Sequence, residues 1–142
     1  MIRTPIRTVA LSLLLAAGLS GLSAPALAQT QEQGGLLRDA AGRTLYTFDK
    51  DANGASACYT GCAAAWPPFL AKDGAKASGP LTLHAREGGG QQWGWKGQPL
   101  YYFAADAQPG DVNGDGKGGV WHVVKPGAKV GQAPAERSGY SY

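Results

Sequence analysis

The amino-acid sequence predicts a mainly β domain made of two similar halves, each a β-hairpin followed by a loop and a tryptophan. The main evidence is an internal repeat, because segment 42–51 returns as segment 97–106 with Gly, Leu, Tyr, Phe and Asp at matching positions. The composition agrees, since 22 glycines and 9 prolines imply many turns and little long helix. Small repeats of this kind cannot bury a hydrophobic face alone, so we expect the two halves to fold as one unit.

The repeat has an offset of 55 residues and extends beyond the ten-residue segment. Three further pairs match at this offset: Gly35 and Gly90, Gly61 and Gly116, and Trp66 and Trp121. We therefore predict a single domain over residues 35–125, with repeat one at about 35–68 and repeat two at about 90–124.

Residues 1–28 have the pattern of a signal peptide. Arg3 and Arg7 give a basic start, residues 9–22 are largely apolar, and Ala26-Leu27-Ala28 is a small-x-small cleavage signal. A lipoprotein would need a cysteine at the cleavage site, and none stands there. We therefore expect an exported protein, periplasmic or secreted, with no membrane anchor.

Three further segments are expected to lie outside the two repeats. Residues 29–34 are polar and predict a flexible leader. Residues 72–80 are mostly small and predict a linker between the repeats. Residues 126–142 consist of Gly, Pro, Ala and polar residues and predict a disordered tail.

The charge of the chain excludes some partners. The formal net charge of +3 falls to about +1 once Arg3 and Arg7 are removed with the signal peptide. No dense cluster of Lys or Arg remains. This argues against nucleic acid or an anionic membrane as a partner and leaves an unknown envelope partner or a small ligand.

Each repeat begins with a predicted β-hairpin. Its two strands are residues 36–39 and 43–48 in repeat one, and residues 92–95 and 99–103 in repeat two. Side chains alternate between the faces of a strand. The Tyr and Phe of each second strand should therefore share one face, with the preceding Leu on the other.

The repeats diverge after their hairpins. Residues 57–66 of repeat one predict a short helix with Ser56 as its N-cap, ended by Pro67-Pro68. Repeat two has a glycine-rich loop at 108–119 instead, closing on a predicted strand at 120–124.

Each repeat carries the pattern Tyr-x-Phe-x-x-Asp and a later tryptophan: Tyr46, Phe48, Asp51 and Trp66 in repeat one, and Tyr101, Phe103, Asp106 and Trp121 in repeat two. The structural interpretation is that the aromatic side chains fill a small core while each Asp accepts backbone N–H bonds that close its loop. The functional interpretation is that two related sets of Tyr and Asp line a cleft for a ligand. Duplication favours the structural interpretation, because a motif copied with the fold is first a folding motif.

Cys58 and Cys62 are the only cysteines, and an exported chain reaches an oxidising compartment, so a disulfide is the default expectation. Residues four apart on a helix have Cα atoms about 6 Å apart, which lies within disulfide range. The closed loop is short, so its stabilisation is at the low end, about 2 kcal/mol. The alternative is a reactive dithiol, or a copper site in which both sulfurs and a histidine are ligands.

The sequence contains no complete catalytic constellation, so we expect no enzymatic activity. The two histidines, His84 and His122, do not have the spacing that would place two ligands on one metal from one helix. The chain has no C-x-x-C-H motif for covalent haem attachment, and no nucleophile elbow that would indicate a hydrolase.

Residues 111–116 match the first half of a calcium loop, with Asp111, Asn113 and Asp115 as candidate ligands. The twelfth position of the loop is His122, where a bidentate glutamate is expected. The alternative is a glycine-rich turn capped by the same side chains. No cofactor is expected beyond these two candidates, calcium at this loop and copper at the cysteines.

The chain resembles exported proteins described as predicted lipoproteins with a conserved Yx(FWY)xxD motif, also called secreted repeats of unknown function. That motif stands here at 46–51 and at 101–106, and segments 58–68 and 118–123 also resemble the family. The resemblance covers about residues 35–125, and the missing lipid-attachment cysteine is a departure from it. It implies export and a repeat fold, and it supplies no activity.

These observations favour an exported envelope protein that is a non-enzymatic binding or interaction module for a small ligand, a metal ion or a partner protein. The competing hypothesis is a thiol-redox or copper-handling protein that acts through Cys58 and Cys62. The first predicts oxidised, inert cysteines, and the second predicts a low thiol pKa or metal-dependent protection. A third hypothesis, a repeat with a purely structural role, predicts no stabilisation by any ligand.

Overall fold

The computed structural model of the protein describes residues 29–127. The predicted signal peptide, residues 1–28, lies outside this range, as do residues 128–142 of the predicted tail. The predicted fold class is confirmed, because the described part of the chain is mainly β with one short α-helix. None of its helices is long and apolar enough to cross a membrane.

The elements are short and follow one another in chain order: β1 (Thr30–Gln33), β2 (Leu36–Asp39), β3 (Tyr46–Phe48), α1 (Gly61–Ala65), β4 (Leu70–Ala71), β5 (Leu81–Ala85), β6 (Gln91–Trp95), β7 (Gln98–Pro99), a 3-10 turn (Lys117–Gly119) and β8 (Trp121–Val123). All strand pairs are antiparallel. β1 pairs with β2, and β3 pairs with β8. β6 is the centre of the largest sheet, with β5 on one side and both β4 and β7 as further partners.

The β1–β2 pair of repeat one is equivalent to the β5–β6 pair of repeat two. Thr30 pairs with Asp39 in the first, as Leu81 pairs with Trp95 in the second. Repeat one has one more residue in the turn that follows β2, so the offset between equivalent residues is larger before this turn than after it. The match of Gly35 with Gly90 is therefore not a structural equivalence, unlike the matches of Tyr, Phe and Trp after the turn.

The prediction of a flexible leader at residues 29–34 is corrected, because this segment contains strand β1. Gln31, Glu32 and Gln33 are exposed, and the strand is held by backbone pairing with β2. The Gln31 side chain adds a hydrogen bond from Nε2 to the Asp39 carbonyl at 3.1 Å. An edge strand with this composition lacks the apolar alternation from which strands are predicted.

The two repeats exchange their tryptophan-bearing segments. β3 of repeat one pairs with β8 of repeat two, so that Phe48 lies opposite Trp121. The equivalent segment of repeat one crosses the other way, since Pro68 bridges Tyr101 and the Tyr102 N–H donates to the Pro67 carbonyl at 2.8 Å. Proline has no N–H to donate, which explains why this second pairing is a single bridge rather than a ladder.

The core consists of two clusters on opposite faces of the segments that carry Leu45-Tyr46 and Leu100-Tyr101. The first is aliphatic at its centre and contains Leu37, Leu45, Phe69, Trp93, Leu100 and Val124. The second is aromatic and contains Tyr46, Cys58, Trp66, Tyr101 and Trp121, with Phe48 and Phe103 packed against it. The predicted alternation is confirmed, because Leu45 and its neighbour Tyr46 lie in different clusters.

Helix α1 is shorter than predicted. It covers Gly61–Ala65 rather than residues 57–66, and its N-cap is Thr60, with no side-chain cap bond. Ser56 does not cap it, because the Ser56 Oγ accepts the Cys58 N–H at 3.2 Å within the preceding loop. That loop is closed by Asp51, whose Oδ1 accepts the Ala57 N–H at 2.7 Å.

Candidate functional site

Four aromatic rings form a continuous stack in the second cluster. Trp66 and Trp121 lie at its centre, with ring centroids 3.8 Å apart and planes within 3° of parallel. Phe48 stacks on Trp121 at 4.1 Å, and Phe103 stacks on Trp66 at 4.3 Å. Each phenylalanine therefore covers the tryptophan of the other repeat.

The motif tyrosines meet beside this stack. The backbones of Tyr46 and Tyr101 exchange two N–H···O hydrogen bonds, each of 2.9 Å. Tyr46 packs edge-on against Trp66, and Tyr101 packs edge-on against Trp121, at 5.4 and 5.2 Å between centroids. A pseudo-twofold axis therefore relates the two repeats and passes between the tyrosines and between the tryptophans.

Each motif tyrosine bonds to the aspartate of the other repeat. The Tyr46 hydroxyl donates to Asp106 Oδ2 at 2.6 Å, and the Tyr101 hydroxyl donates to Asp51 Oδ2 at 2.8 Å. We call these two reciprocal hydrogen bonds the Tyr–Asp locks. They join positions that are distant in the sequence although each motif is a local pattern.

The second oxygen of each motif aspartate closes a loop of its own repeat. Asp51 Oδ1 accepts the Ala57 N–H, and Asp106 Oδ1 accepts the Asn113 N–H at 2.9 Å. The Tyr46 hydroxyl also accepts the Gly114 N–H at 3.2 Å. The polar groups of the motif are thus paired with one another and with backbone.

Burial changes the proton affinity of these groups. It raises the pKa of Tyr46 well above its usual value, with the hydrogen bond to Asp106 acting in the same direction. Burial likewise raises the pKa of Tyr101. Burial also raises the pKa of Asp51, against the opposing effects of the Ala57 N–H and the Tyr101 hydroxyl. The phenols are therefore held neutral as hydrogen-bond donors.

Arg86 of repeat two makes a group of contacts that breaks the pseudo-symmetry. Arg86 donates to Ser56 Oγ at 3.1 Å, to the Cys58 carbonyl at 3.1 Å and to Gln92 Oε1 at 2.6 Å. Its guanidinium also lies over the ring of Tyr59, 4.4 Å from the centroid. No role was predicted for Arg86, because its partners are between 6 and 30 residues away along the chain.

The predicted disulfide is confirmed. Cys58 and Cys62 are bonded, with Cα atoms 5.2 Å apart. Cys62 lies in α1 and Cys58 precedes it, in the loop held by Arg86. Cys58 is completely buried in the aromatic cluster, whereas Cys62 is only partly buried. The bridge therefore ties α1 to the base of the ring stack.

The candidate calcium ligands make hydrogen bonds within their own region. Asp111 Oδ2 accepts the N–H groups of Ala107 and Gln108, and Asp115 Oδ1 accepts the Val123 N–H. Between residues 29 and 127, no three His, Cys, Asp or Glu side chains converge as a metal site would require. Calcium binding at Asp111, Asn113 and Asp115 stays a prediction.

The two histidines lie in different surroundings. His122 is partly exposed, and its Nε2 lies 2.7 Å from Asp49 Oδ2. His84 bonds to Thr82 and packs so closely against Gly94 that a β-carbon there would clash with its ring. Burial lowers the pKa of His84. Copper binding by either histidine with the cysteine sulfurs stays a prediction.

A cavity of about 280 Å³ opens at the surface beside β6. It is lined by Ala71 at the end of β4, by residues 72–75 of the linker, and by Gly90 and Gln91. The cavity is separate from the motif residues, because none of them lines it. No sequence pattern indicated this feature.

The geometry defines a pseudo-symmetric two-repeat domain, closed by exchanged tryptophan segments and two Tyr–Asp locks. The chain belongs to the family described as a secreted repeat of unknown function, whose model matches residues 28–69 and 82–125. The resemblance found in the sequence is therefore confirmed, and the family's description indicates an exported protein. No curated protein matches the chain. No solved structure matches it either.

Proposed function

We propose that this protein is a non-enzymatic interaction module of the cell envelope, in which the Yx(FWY)xxD motif fastens the two repeats together. The observation that supports this proposal is the pair of Tyr–Asp locks. In each lock both carboxylate oxygens and the phenol are already engaged. A group engaged in this way offers no free acid, base or nucleophile, so recognition falls to the exposed surface around the locks.

The cavity beside β6 is a concave place for a small ligand. Its lining combines small residues with the polar side chains of Lys72, Asp73 and Gln91. A few polar groups around a concave surface are typical of small-ligand sites. The same proposal has two other forms, in which the protein binds a metal ion at the 111–116 loop or binds a protein partner.

A thermal-shift screen of the oxidised, exported chain with calcium, copper, zinc and haem tests for a ligand. A ligand present at a hundred times its Kd stabilises the folded state by about 2.7 kcal/mol. The matched control carries Asp111→Ala and Asp115→Ala. If calcium raises the melting temperature of the native chain and not of the control, the loop is the metal site.

The same screen can contradict the proposal. If no ligand raises the melting temperature, and chemical cross-linking in intact cells captures no envelope partner, the repeat has a purely structural role. A calcium shift that survives in the control would place the metal elsewhere.

The alternative is a thiol-redox or copper-handling protein, and the partial exposure of Cys62 is the observation that favours it. Attack on Cys62 would release Cys58 as a thiolate inside the aromatic cluster. A thiol that is shielded from water has a raised pKa, and its thiolate is therefore a poor leaving group. We therefore expect the native disulfide to be reduced slowly.

Native and urea-unfolded protein, treated with dithiothreitol and then with an alkylating reagent, separate these alternatives. We expect alkylation of Cys58 and Cys62 within minutes in urea and much more slowly in the native state. Equal rates in the two states would favour the redox alternative. Copper that protects the reduced cysteines from alkylation would favour the copper-handling role.

The proposed location is the periplasm or the extracellular medium, without a lipid anchor. The absence of a cysteine near Ala28 supports this. Intact mass of the protein from cell fractions tests it, with a chain beginning at Gln29 expected in a soluble fraction. A lipid-sized mass addition would contradict it.

A further inference from the structure

The aromatic core and the β3–β8 and β4–β6 pairings join the two parts of this domain, residues 29–71 and residues 81–127, whereas β1–β2 and β5–β6 pair within one part. Four of the backbone hydrogen bonds that cross between them illustrate the arrangement: Leu37 N–H to Val124, Asp49 N–H to Val120, Phe69 N–H to Leu100 and Trp93 N–H to Phe69. The ring stack and both Tyr–Asp locks also cross. Each part therefore completes the other.

The only covalent connection between the two parts is the linker, residues 72–80. All of it is exposed except Ala75, which is partly buried against the first cluster. Its ties to the neighbouring strands are few, namely a 2.7 Å bond from the Lys96 N–H to the Pro80 carbonyl and a pair of bonds between Ser78 and Leu81. The linker can therefore swing away without breaking the interface.

We infer that the chain can exchange its parts with a second copy of itself, forming a closed dimer about the 72–80 linker. In this dimer, residues 29–71 of one copy pack on residues 81–127 of the other. Every lock is then intermolecular, and the contacts between residues 29–71 and residues 81–127 are retained. Exchange of identical elements between copies is a low-cost route to a dimer because no new interface has to be created.

The path of the linker shows how to force the exchange. Ala71 pairs with Gln91 at one end of β6, and Leu81 pairs with Trp95 at the other end and on the opposite side. From strand rise and spacing, the ends of the linker are about 16 Å apart. Deleting residues 73–79 leaves a connection that reaches about 11 Å, which is too short to close the monomer.

The experiment compares this deletion with a matched variant that has seven Gly and Ser residues inserted into the same linker. We expect the deletion variant to elute as a dimer in size-exclusion chromatography with light scattering, and the insertion variant as a monomer. Both should keep the ellipticity of the stacked tryptophans. A deletion variant that is a folded monomer overturns the inference.

Wild-type protein supplies a second measurement, so that a deletion variant that does not fold leaves the inference testable. Unlabelled and ¹⁵N-labelled chains, with the disulfide kept oxidised, are unfolded in urea, mixed and refolded at increasing concentration. Native mass spectrometry should show mixed-label dimers that increase with concentration, and far fewer when the chains are mixed after folding. Refolding that yields only monomers at every concentration overturns the inference. The outcome is independent of any ligand, so failure of the proposed binding role would not imitate it.

Discussion

Removing one Tyr–Asp lock is the most direct perturbation of this fold. In Tyr46→Phe the ring stays against Trp66, and only the hydroxyl is lost. That hydroxyl donates to Asp106 at 2.6 Å and accepts the Gly114 N–H at 3.2 Å. A hydrogen bond to a charged group contributes about 1.5–3 kcal/mol. Because Asp106 is only half-buried and water can replace part of the bond, we expect a loss of about 2 kcal/mol in the free energy of unfolding.

Denaturant unfolding of the oxidised protein, followed by tryptophan fluorescence, measures this loss. The control is Tyr59→Phe, whose hydroxyl accepts one exposed N–H, from Glu87. We expect that control to change stability by less than about 0.5 kcal/mol. The comparison separates loss of a lock from loss of a tyrosine hydroxyl in general.

A double-mutant cycle with Asp106→Ala assigns the effect to the pair. Residues in direct contact have coupling energies of about 0.5–3 kcal/mol. If Tyr46→Phe costs no more than Tyr59→Phe, or if the two changes at positions 46 and 106 are additive, the lock does not hold the repeats together. The structural role proposed for the motif would then be refuted.

Two further predictions follow from the same packing. Burial raises the pKa of Tyr46, Tyr101 and Tyr102 above 10.0, so their neutral forms stabilise the fold below pH 10, and this contribution is lost as the pH rises through the folded-state pKa. The tyrosinate absorbance of these three residues should therefore rise only as circular dichroism is lost, and ionisation of all tyrosines near pH 10 in a folded protein would contradict this. In Gly114→Ala the new β-carbon would lie 2.7 Å from the ring of Trp66, so we expect the free energy of unfolding, measured by heat or urea, to fall by about 2–3 kcal/mol. The control Gly61→Ala places its β-carbon in open space in α1 and should not destabilise the protein. Equal effects of the two changes would contradict the packing argument.

The sequence was sufficient to predict the repeat, the disulfide and the turn ends of the two hairpins, which are paired at Arg38–Thr44 and between β6 and β7. Each of these depends on a local pattern, such as the alternation around Tyr46 or the spacing of Cys58 and Cys62. The exchange of segments between repeats could not be predicted in this way. Either repeat could satisfy the same pattern by pairing within itself, and only the register of β3 against β8 decides between the two arrangements.

The features that were not predicted from the sequence each have a physical reason. β1 is a polar edge strand, so it carries no apolar periodicity. Arg86 binds Ser56, Cys58 and Gln92 through contacts that depend on the tertiary fold. Gly114 gave a partial signal, because a glycine in the loop marks a close approach, but the ring it approaches lies elsewhere in the chain.

The duplicated motif can now be explained by symmetry. Under a twofold relation, a residue on one repeat that contacts the other repeat must be matched by the reverse contact. A motif that carries both a donor, Tyr, and its acceptor, Asp, satisfies this condition with one sequence used twice. The donor and the acceptor lie five residues apart in each repeat, and yet each hydrogen bond joins residues 50 or 60 positions apart. Both residue types are therefore required in each copy, because losing either one breaks a contact that the other repeat depends on.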